Sequence, residues 1–325
     1  MQLKKLAAAL RKNKRFLITT HISMEPDALG SELALYFLLR RLGKEAIIVN
    51  DDKVIGEYAF LPGLRYVKRL DSRIKNIRFD CFAILDCSDL SRCGEVANLK
   101  ANSRLTLNID HHISNALFGN INWVEPGMSS ASEMIYKLYK KMRVPINKDV
   151  ALLLFSGIAT DTGFFRYANT SSDTHKAAAE LLGHGVNSSS VYRHVYEDVP
   201  FRDAIILAGE LSKIKSDCQG RVVWSSIRKA TVKRTSGEFD LGDHFLSFMR
   251  AIKGVEVAVL FKENFGRDRK EIKVNFRSQG KVDVNSIAKF FGGGGHRTAS
   301  GATIAGSLDA VKKRVLAKIR GTLLS

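Results

Sequence analysis

Short apolar runs rich in β-branched residues recur along the first half of the chain, at residues 16–20, 46–49, 81–85, 105–109 and 150–159. Amphipathic, helix-like stretches separate them, and this alternation predicts a mostly parallel sheet flanked by helices. The fifth run fits a helix equally well. In sheets of this kind ligands gather beyond the carboxyl ends of the strands. The residues at those ends are therefore informative: His21 after the first run, Asp51 and Asp52 after the second, Asp86 after the third, Asp110-His111-His112 after the fourth and Asp161 after the fifth. A random scatter of acids and imidazoles would seldom fall this way.

From 187 to 214 the pattern turns helical and polar, which reads as a connector and not as a flexible Gly/Ser linker. Strand-like runs return at 221–227, 255–261 and 272–276, with helical patterns at 284–291 and 308–323, and no internal repeat is visible. A chain of 325 residues exceeds the usual single-domain size. The expected organisation is an α/β domain over 1–190, a helical connector over 191–212 and a smaller α/β or α+β domain over 213–325.

Hydrophobic residues make up 45% of the chain, enough for sizeable cores, yet no apolar run approaches the roughly 18 to 20 residues of a membrane span. The basic segment 1–16 lacks the long apolar stretch and cleavage site of a secretory signal, so a cytoplasmic address is expected. Cys81, Cys87, Cys93 and Cys218 form no C-x-x-C pair and read as reduced thiols. The formal charge of +18 is uneven: residues 213–325 carry 23 Lys+Arg against 10 Asp+Glu. Such asymmetry suits a polyanionic partner of the C-terminal part, because neutralised phosphates release counterions. A generally solvated basic surface is the plainer explanation.

The segment His21-Ile-Ser-Met-Glu25-Pro-Asp27-Ala-Leu-Gly30-Ser31 places one imidazole and two carboxylates between a strand and a helix. Hard divalent cations accept this mixed nitrogen and oxygen set. Helix capping by Asp27 and a turn at Gly30 would explain much of the same segment. Asp86 ends a buried strand, where a carboxylate needs a cation or several donors. The pair His111-His112 and Asp161 add further ligands from two more segments.

With these residues in view, the chain resembles the DHH/DHHA1 phosphoesterase family, in its branch of oligoribonucleases (nanoRNases) that also act as 3′-phosphoadenosine-5′-phosphate (pAp) phosphatases. The resemblance spans nearly the whole chain. It rests on residues 21–31, Asp86, Asp110-His111-His112, Asp161 and the run Gly292-Gly-Gly-Gly295-His296-Arg-Thr-Ala-Ser-Gly301. It implies a catalytic DHH domain and a DHHA1 substrate domain. It also implies two Mn2+ ions, with Mg2+ or Co2+ as alternatives, one held by His21, Glu25 and Asp86 and the other by Asp27, Asp86, His111 and Asp161. Asp86 would bridge, Asp110 would orient His111, and His112 would face the scissile phosphate. One departure stands out. The family pattern is commonly read H-x-N-P-D-x-D, whereas this chain has Glu25 in place of the first Asp and its proline at Pro26, after the acid. The extra methylene moves this carboxylate by roughly one bond length.

Two ions sharing a water suit direct in-line hydrolysis at phosphorus. Gly293, Gly294, Gly295 and His296 are expected to hold substrate through backbone N–H groups, a flexible turn being the alternative. Arg277 and Ser278 match the family's Arg-Ser pair and would grip a phosphate, with a surface salt bridge as the alternative for Arg277. The implied substrates are short RNA or DNA oligonucleotides of roughly two to five nucleotides, releasing mononucleotides, and pAp. The implied assembly is a homodimer, with no membrane partner. Within the same chemistry the rivals are linear dinucleotides or pyrophosphate; from another class, a nucleic-acid-binding protein whose metal site Glu25 has impaired. Phe290 and Phe291 read as helix core.

Overall fold

The computed structural model of the chain describes residues 1–54, 56–236, 240–263 and 271–324. Packing divides it into two compact units, one ending at Glu197 and the other beginning at Asp198, with a short piece around Glu57 joining the second.

In chain order the first unit contains α1 (Gln2–Lys12), β1 (Arg15–Thr19), α2 (Pro26–Arg41), β2 (Glu45–Asn50), β3 (Val67–Arg69), β4 (Phe79–Leu85), β5 (Ser103–Asp110) and β6 (Ile121–Val124). Four helices complete it: α3 (Ala131–Met142), α4 (Lys148–Asp161), α5 (Ser172–Gly183) and α6 (Ser188–Tyr196). The strands form a parallel sheet in the order β3-β2-β1-β4-β5-β6. Its central strands are apolar on both faces, as a sheet covered by helices on each side demands: in β4 every residue from Cys81 to Leu85 is buried. The order reverses between β1 and β4, the switch point at which doubly wound sheets open a crevice for ligands.

The run at 150–159 is helical. It forms the body of α4, so the expectation of a fifth strand gives way to its alternative. Asn147 caps this helix by accepting from Val150 N, and residues from Val150 to Ala159 are nearly all buried because α4 packs against α2 and α3. Gly30 lies inside α2 and not in a turn. A Cβ there would come 2.5 Å from Leu153 O, so the missing side chain lets α2 and α4 cross closely.

The second unit contains α7 (Phe201–Leu211), β7 (Lys215–Asp217), β8 (Val222–Ile227), a short α8 (Lys229–Val232), α9 (Leu241–Ala251), β9 (Val257–Glu263) and β10 (Glu271–Ser278). It ends with α10 (Val284–Phe290), β11 (Gly294–His296), β12 (Ala299–Ala305) and α11 (Leu308–Leu324). Its mixed sheet runs β11-β12-β10-β9-β8-β7, with only β8 and β9 parallel among the described pairs. Alternation splits its core. Val257, Val259 and Phe261 of β9 pack with α10 and α11, while Ala258 and Leu260 pack with α9. Among the described residues no helix is long and apolar enough to cross a membrane.

Candidate metal centre

At the switch point the chain leaves each strand directly into polar chemistry. After β1, Thr20 donates from N to Asn50 Oδ1 (3.2 Å) and from Oγ1 to Leu85 O (2.9 Å). Ile22 N then donates to Arg92 O at 2.8 Å, and Ser23, at φ +59°, donates from N to Asp52 Oδ2 at 2.7 Å. The loop carrying His21 and Glu25 is thereby braced from neighbouring strand ends. Asp52 serves as a brace, and so does Asn50, whose own amide is held by the buried Glu32 at 2.8 and 3.1 Å. At the end of β4 Asp86 adopts φ +50°, a left-handed conformation that costs a non-glycine residue about 1–2 kcal/mol. Its carboxylate is set between the ends of β1 and β5.

Asp86 Oδ2 lies 3.4 Å from His21 Nε2, and Asp86 Oδ1 lies 3.3 Å from His111 Nε2. Each imidazole is aimed through its other nitrogen, His21 Nδ1 at Ile22 O (2.7 Å) and His111 Nδ1 at Met128 O (3.3 Å). His111 Nε2 also stands 3.6 Å from Asp161 Oδ2 and 3.8 Å from Asp27 Oδ2. Two donor sets result, His21 with Glu25 and Asp86, and Asp27 with His111 and Asp161; in each the facing atoms lie within 4.8 Å of one another. Glu25, the exposed N-cap residue of α2, therefore reaches its set in spite of the longer side chain.

This arrangement fits divalent cations. Asp86 Oδ1 and Asp161 Oδ2 are buried oxygens with no hydrogen-bond partner among the described residues. Such orphans are costly unless a cation satisfies them. The separations of 3.3 to 3.8 Å are longer than hydrogen bonds, yet they suit ligands sharing an ion at about 2.1 Å.

The electrostatics carry the same message. Burial, reinforced by the Asp86 charge, raises Asp27 to about 7, and burial also raises Asp161 well above the carboxylate range. Burial would raise Asp86 too, but the imidazoles of His111, His21 and His112 prevail and hold it low. Burial opposes a charge on His111, and the surrounding Asp161, Asp86 and Asp27 overcome it and raise that imidazole. Without cations, unfolding lets Asp27 and Asp161 ionise near pH 4, whereas the folded state keeps them protonated to higher pH. The folded state then binds more protons, so stability falls as pH rises through this window. The expected result is a chelator-treated protein whose thermal midpoint drops between about pH 4.5 and 8, the drop being removed by Mn2+. A midpoint independent of pH and of Mn2+ would rule out the buried charge excess.

Asp110 takes a different partner from the one expected. Its Oδ1 accepts from His112 Nδ1 at 2.7 Å and its Oδ2 from Asn115 Nδ2 at 2.6 Å, whereas Met128 O faces His111 Nδ1. Adjacent residues leaving a strand point to opposite sides, so the acid meets the second histidine along and not the first. Burial pushes Asp110 up, but the charge and hydrogen bond of His112 outweigh it and hold the carboxyl far below its usual range.

Asp27 is both a member of the pocket and a capping group, though for another helix. Its two oxygens accept from Ala131 N and Ser132 N, each at 2.8 Å, in the first turn of α3. The positive end of α3 thus anchors the carboxylate. Asp161 ends α4, where the helix dipole disfavours negative charge, and Asn169 Nδ2 pins its carbonyl (3.1 Å) and that of Ser129 (3.0 Å) together. Asn50, Asn115 and Asn169 escape a reading of the sequence because asparagines in loops carry no periodic signal.

In the second unit Arg277 donates from Nη2 to Asp243 Oδ1 at 3.0 Å, the salt bridge weighed as its alternative. Ser278 does not act beside it. Successive strand residues face opposite sides of a sheet, so Ser278 is buried and its Oγ donates to Val282 O at 2.8 Å. The glycine run is also more regular than a loose cradle. Gly292, at φ +76°, ends α10, and Gly294, Gly295 and His296 form the edge strand β11. A Cβ at Gly293 or Gly295 would strike the backbone of β12, which explains two of the four glycines by close strand approach.

A doubly wound parallel sheet whose switch point gathers carboxylates and imidazoles in this way defines a hydrolytic phosphoesterase. Residues 15–158 match the model of the DHH family, N-terminal domain, and residues 243–321 match that of the DHHA1 domain. The bifunctional oligoribonuclease and PAP phosphatase NrnA of Thermus thermophilus is 33% identical over 311 residues, covering 94% of this chain and 89% of that protein. Its counterpart of the same name from Bacillus subtilis is 29% identical over 291 residues, covering 89% and 88%. The crystal structure of an exopolyphosphatase-related protein from Bacteroides fragilis superposes with a TM-score of 0.85 at 27% identity, covering 100% of this chain and 98% of that one. The chain belongs to the DHH/DHHA1 phosphoesterase family.

Proposed function

We propose that this enzyme hydrolyses phosphodiester bonds in oligoribonucleotides a few residues long, releasing mononucleotides, and removes the 3′-phosphate of pAp, using two Mn2+ ions. The reading rests chiefly on the two-sided presentation of Asp86, one oxygen towards His21 and the other towards His111. The substrates are those named for the two relatives, NrnA of T. thermophilus and of B. subtilis.

In this reading His21, Glu25 and Asp86 hold one ion, and Asp27, Asp86, His111 and Asp161 the other. When bound, the pair supplies Lewis acidity at phosphorus and lowers the pKa of water. The protein's own groups do the rest. The short hydrogen bond to Asp110 fixes the proton of His112 on Nδ1 and the direction of the ring. With a second proton on Nε2, His112 would donate from that nitrogen to the phosphoryl oxygens or to the leaving oxygen. Arg277 exchanges Asp243 for a substrate phosphate, a trade that exposure of the acid makes inexpensive.

The decisive assay incubates purified protein and Mn2+ with labelled di- to pentaribonucleotides and with pAp. Mononucleotides and AMP are the expected products. Tight binding without turnover in Mn2+, Mg2+ and Co2+ would leave a nucleic-acid-binding protein instead. For Arg277→Ala the expected change is a weaker substrate interaction by about 1.5–3 kcal/mol, seen as a raised KM. A KM equal to wild type removes Arg277 from the site.

A further inference from the structure

Among the described residues of the second unit, four cations lie over aromatic rings of β8 and of the end of α10. Lys215 Nζ and Lys312 Nζ lie 5.4 and 5.6 Å from the centroid of Trp224, Arg314 Cζ lies 5.8 Å from Phe291, and Lys318 Nζ lies 4.6 Å from Phe290. These contacts gather positive charge and aromatic surface in one place. The rings are not merely core. Phe290 is 65% exposed, against the expectation of helix core, and meets Phe291 edge-on at 5.0 Å. Phe291 and Trp224 are half-buried at the margin of the core beneath α11.

The helix between these rings is strongly basic. Lys312, Lys313, Arg314, Lys318 and Arg320 share α11 with one acid, Asp309. Val311, Val315, Leu316 and Ile319 of the same helix are buried against the sheet. Its apolar side is therefore committed to the core, and Lys313, Arg314 and Arg320 are exposed. Asp217 already holds Arg320. This face is also separate from Arg277, which pairs with Asp243 on α9, and α9 packs on the opposite side of the sheet.

We propose that the face formed by α10, α11 and Trp224 is a second binding site, for single-stranded RNA. It shares no residue with the metal centre and goes beyond the reaction proposed above. Lys313, Arg314 and Lys318 would meet phosphates, while the exposed ring of Phe290 offers a π-face to an unpaired base, the combination that sequence-tolerant single-strand binders use. α11 is about 25 Å long at 1.5 Å per residue, room for several nucleotides. A lipid surface fits less well, since α11 has no apolar side left to insert. Duplexes fit less well because their bases are already stacked.

Binding is read independently of turnover, so its failure is distinguishable from failure of the hydrolytic reading. The probe is a fluorescent, nuclease-resistant 2′-O-methyl oligouridylate of about 12 nucleotides, measured by anisotropy with the Mn2+-loaded protein at several salt concentrations. Lys313→Ala/Arg314→Ala/Lys318→Ala is expected to weaken binding on the order of tenfold or more and to flatten the log–log salt slope by about 2, at 0.7 per lost phosphate contact. Phe290→Ala is expected to weaken binding severalfold with the slope unchanged, since stacking releases no counterions. Both variants should cleave a labelled diribonucleotide at the wild-type rate. Wild-type affinity in the triple variant would overturn the proposal. So would equally tight binding of a duplex of the same length, or of phosphatidylserine vesicles, because either would make the face a general anion sink.

Discussion

Asp86→Ala is expected to lower turnover on the order of a thousandfold or more, since several kcal/mol of transition-state stabilisation are lost with the ions. The same carboxylate faces both donor sets, so an Mn2+ titration of this variant should show neither ion bound tightly. Glu25→Ala belongs to one set only and should lose one ion of the two. Residue 86 keeps its left-handed backbone in this variant, a conformation alanine adopts less readily than aspartate, and the imidazoles of His111 and His21 lose the charge that faces them. The chelator-treated variant should therefore melt somewhat below the chelator-treated parent, and turnover is compared at a temperature where both are folded. Near-normal turnover in Asp86→Ala would exclude the two-ion reading outright.

Gly157→Ala should be nearly as damaging, although residue 157 is neither acid nor base. A Cβ at this position would overlap Ser132 Oγ and approach Asp27 Oδ1 to 2.7 Å. Ser132 N and Ala131 N hold Asp27 in place, and a displacement near 1 Å in a site of this kind costs about a hundredfold in rate. Overpacking between α4, α2 and α3 adds a stability loss of about 1–3 kcal/mol. A melting curve and kcat/KM separate the two effects. Adding Ser132→Ala removes the colliding hydroxyl and should restore part of the activity. A single variant with full activity would mean that Asp27 has room to spare and that its position is not set by this contact.

The strands that carry the pocket could be read in advance because β1, β2, β4 and β5 are buried on both faces and end in charged or polar residues. α4 was ambiguous for a physical reason: packed between helices, it is apolar on almost every side and shows no helical stripe. β3 and β6 are three and four residues long, too short for a period to emerge. β11 has two glycines in three residues, and β12 carries Gly301 among small residues, a composition that ordinarily weakens strands and so reads as loop. Among the site residues, the spacing of 21 to 27 and the triplet 110–112 announced themselves, but partnership within the triplet did not. Asp110 and His112 pair because the strand alternates, and the same rule separates Ser278 from Arg277. The braces at Asn50, Asn115 and Asn169 depend on tertiary placement and leave no trace in local composition.

Both donor sets of the metal centre are encoded between residues 21 and 161, ahead of any part of the second sheet. During synthesis these donors are thus all made while the basic last third of the chain is still to come. A nascent first unit holds an excess of carboxylates that resist ionisation when packed together, and free cations are what relieve it. Divalent ions should accordingly act as folding ligands for the growing polypeptide, and their supply should govern how much chain reaches the native state.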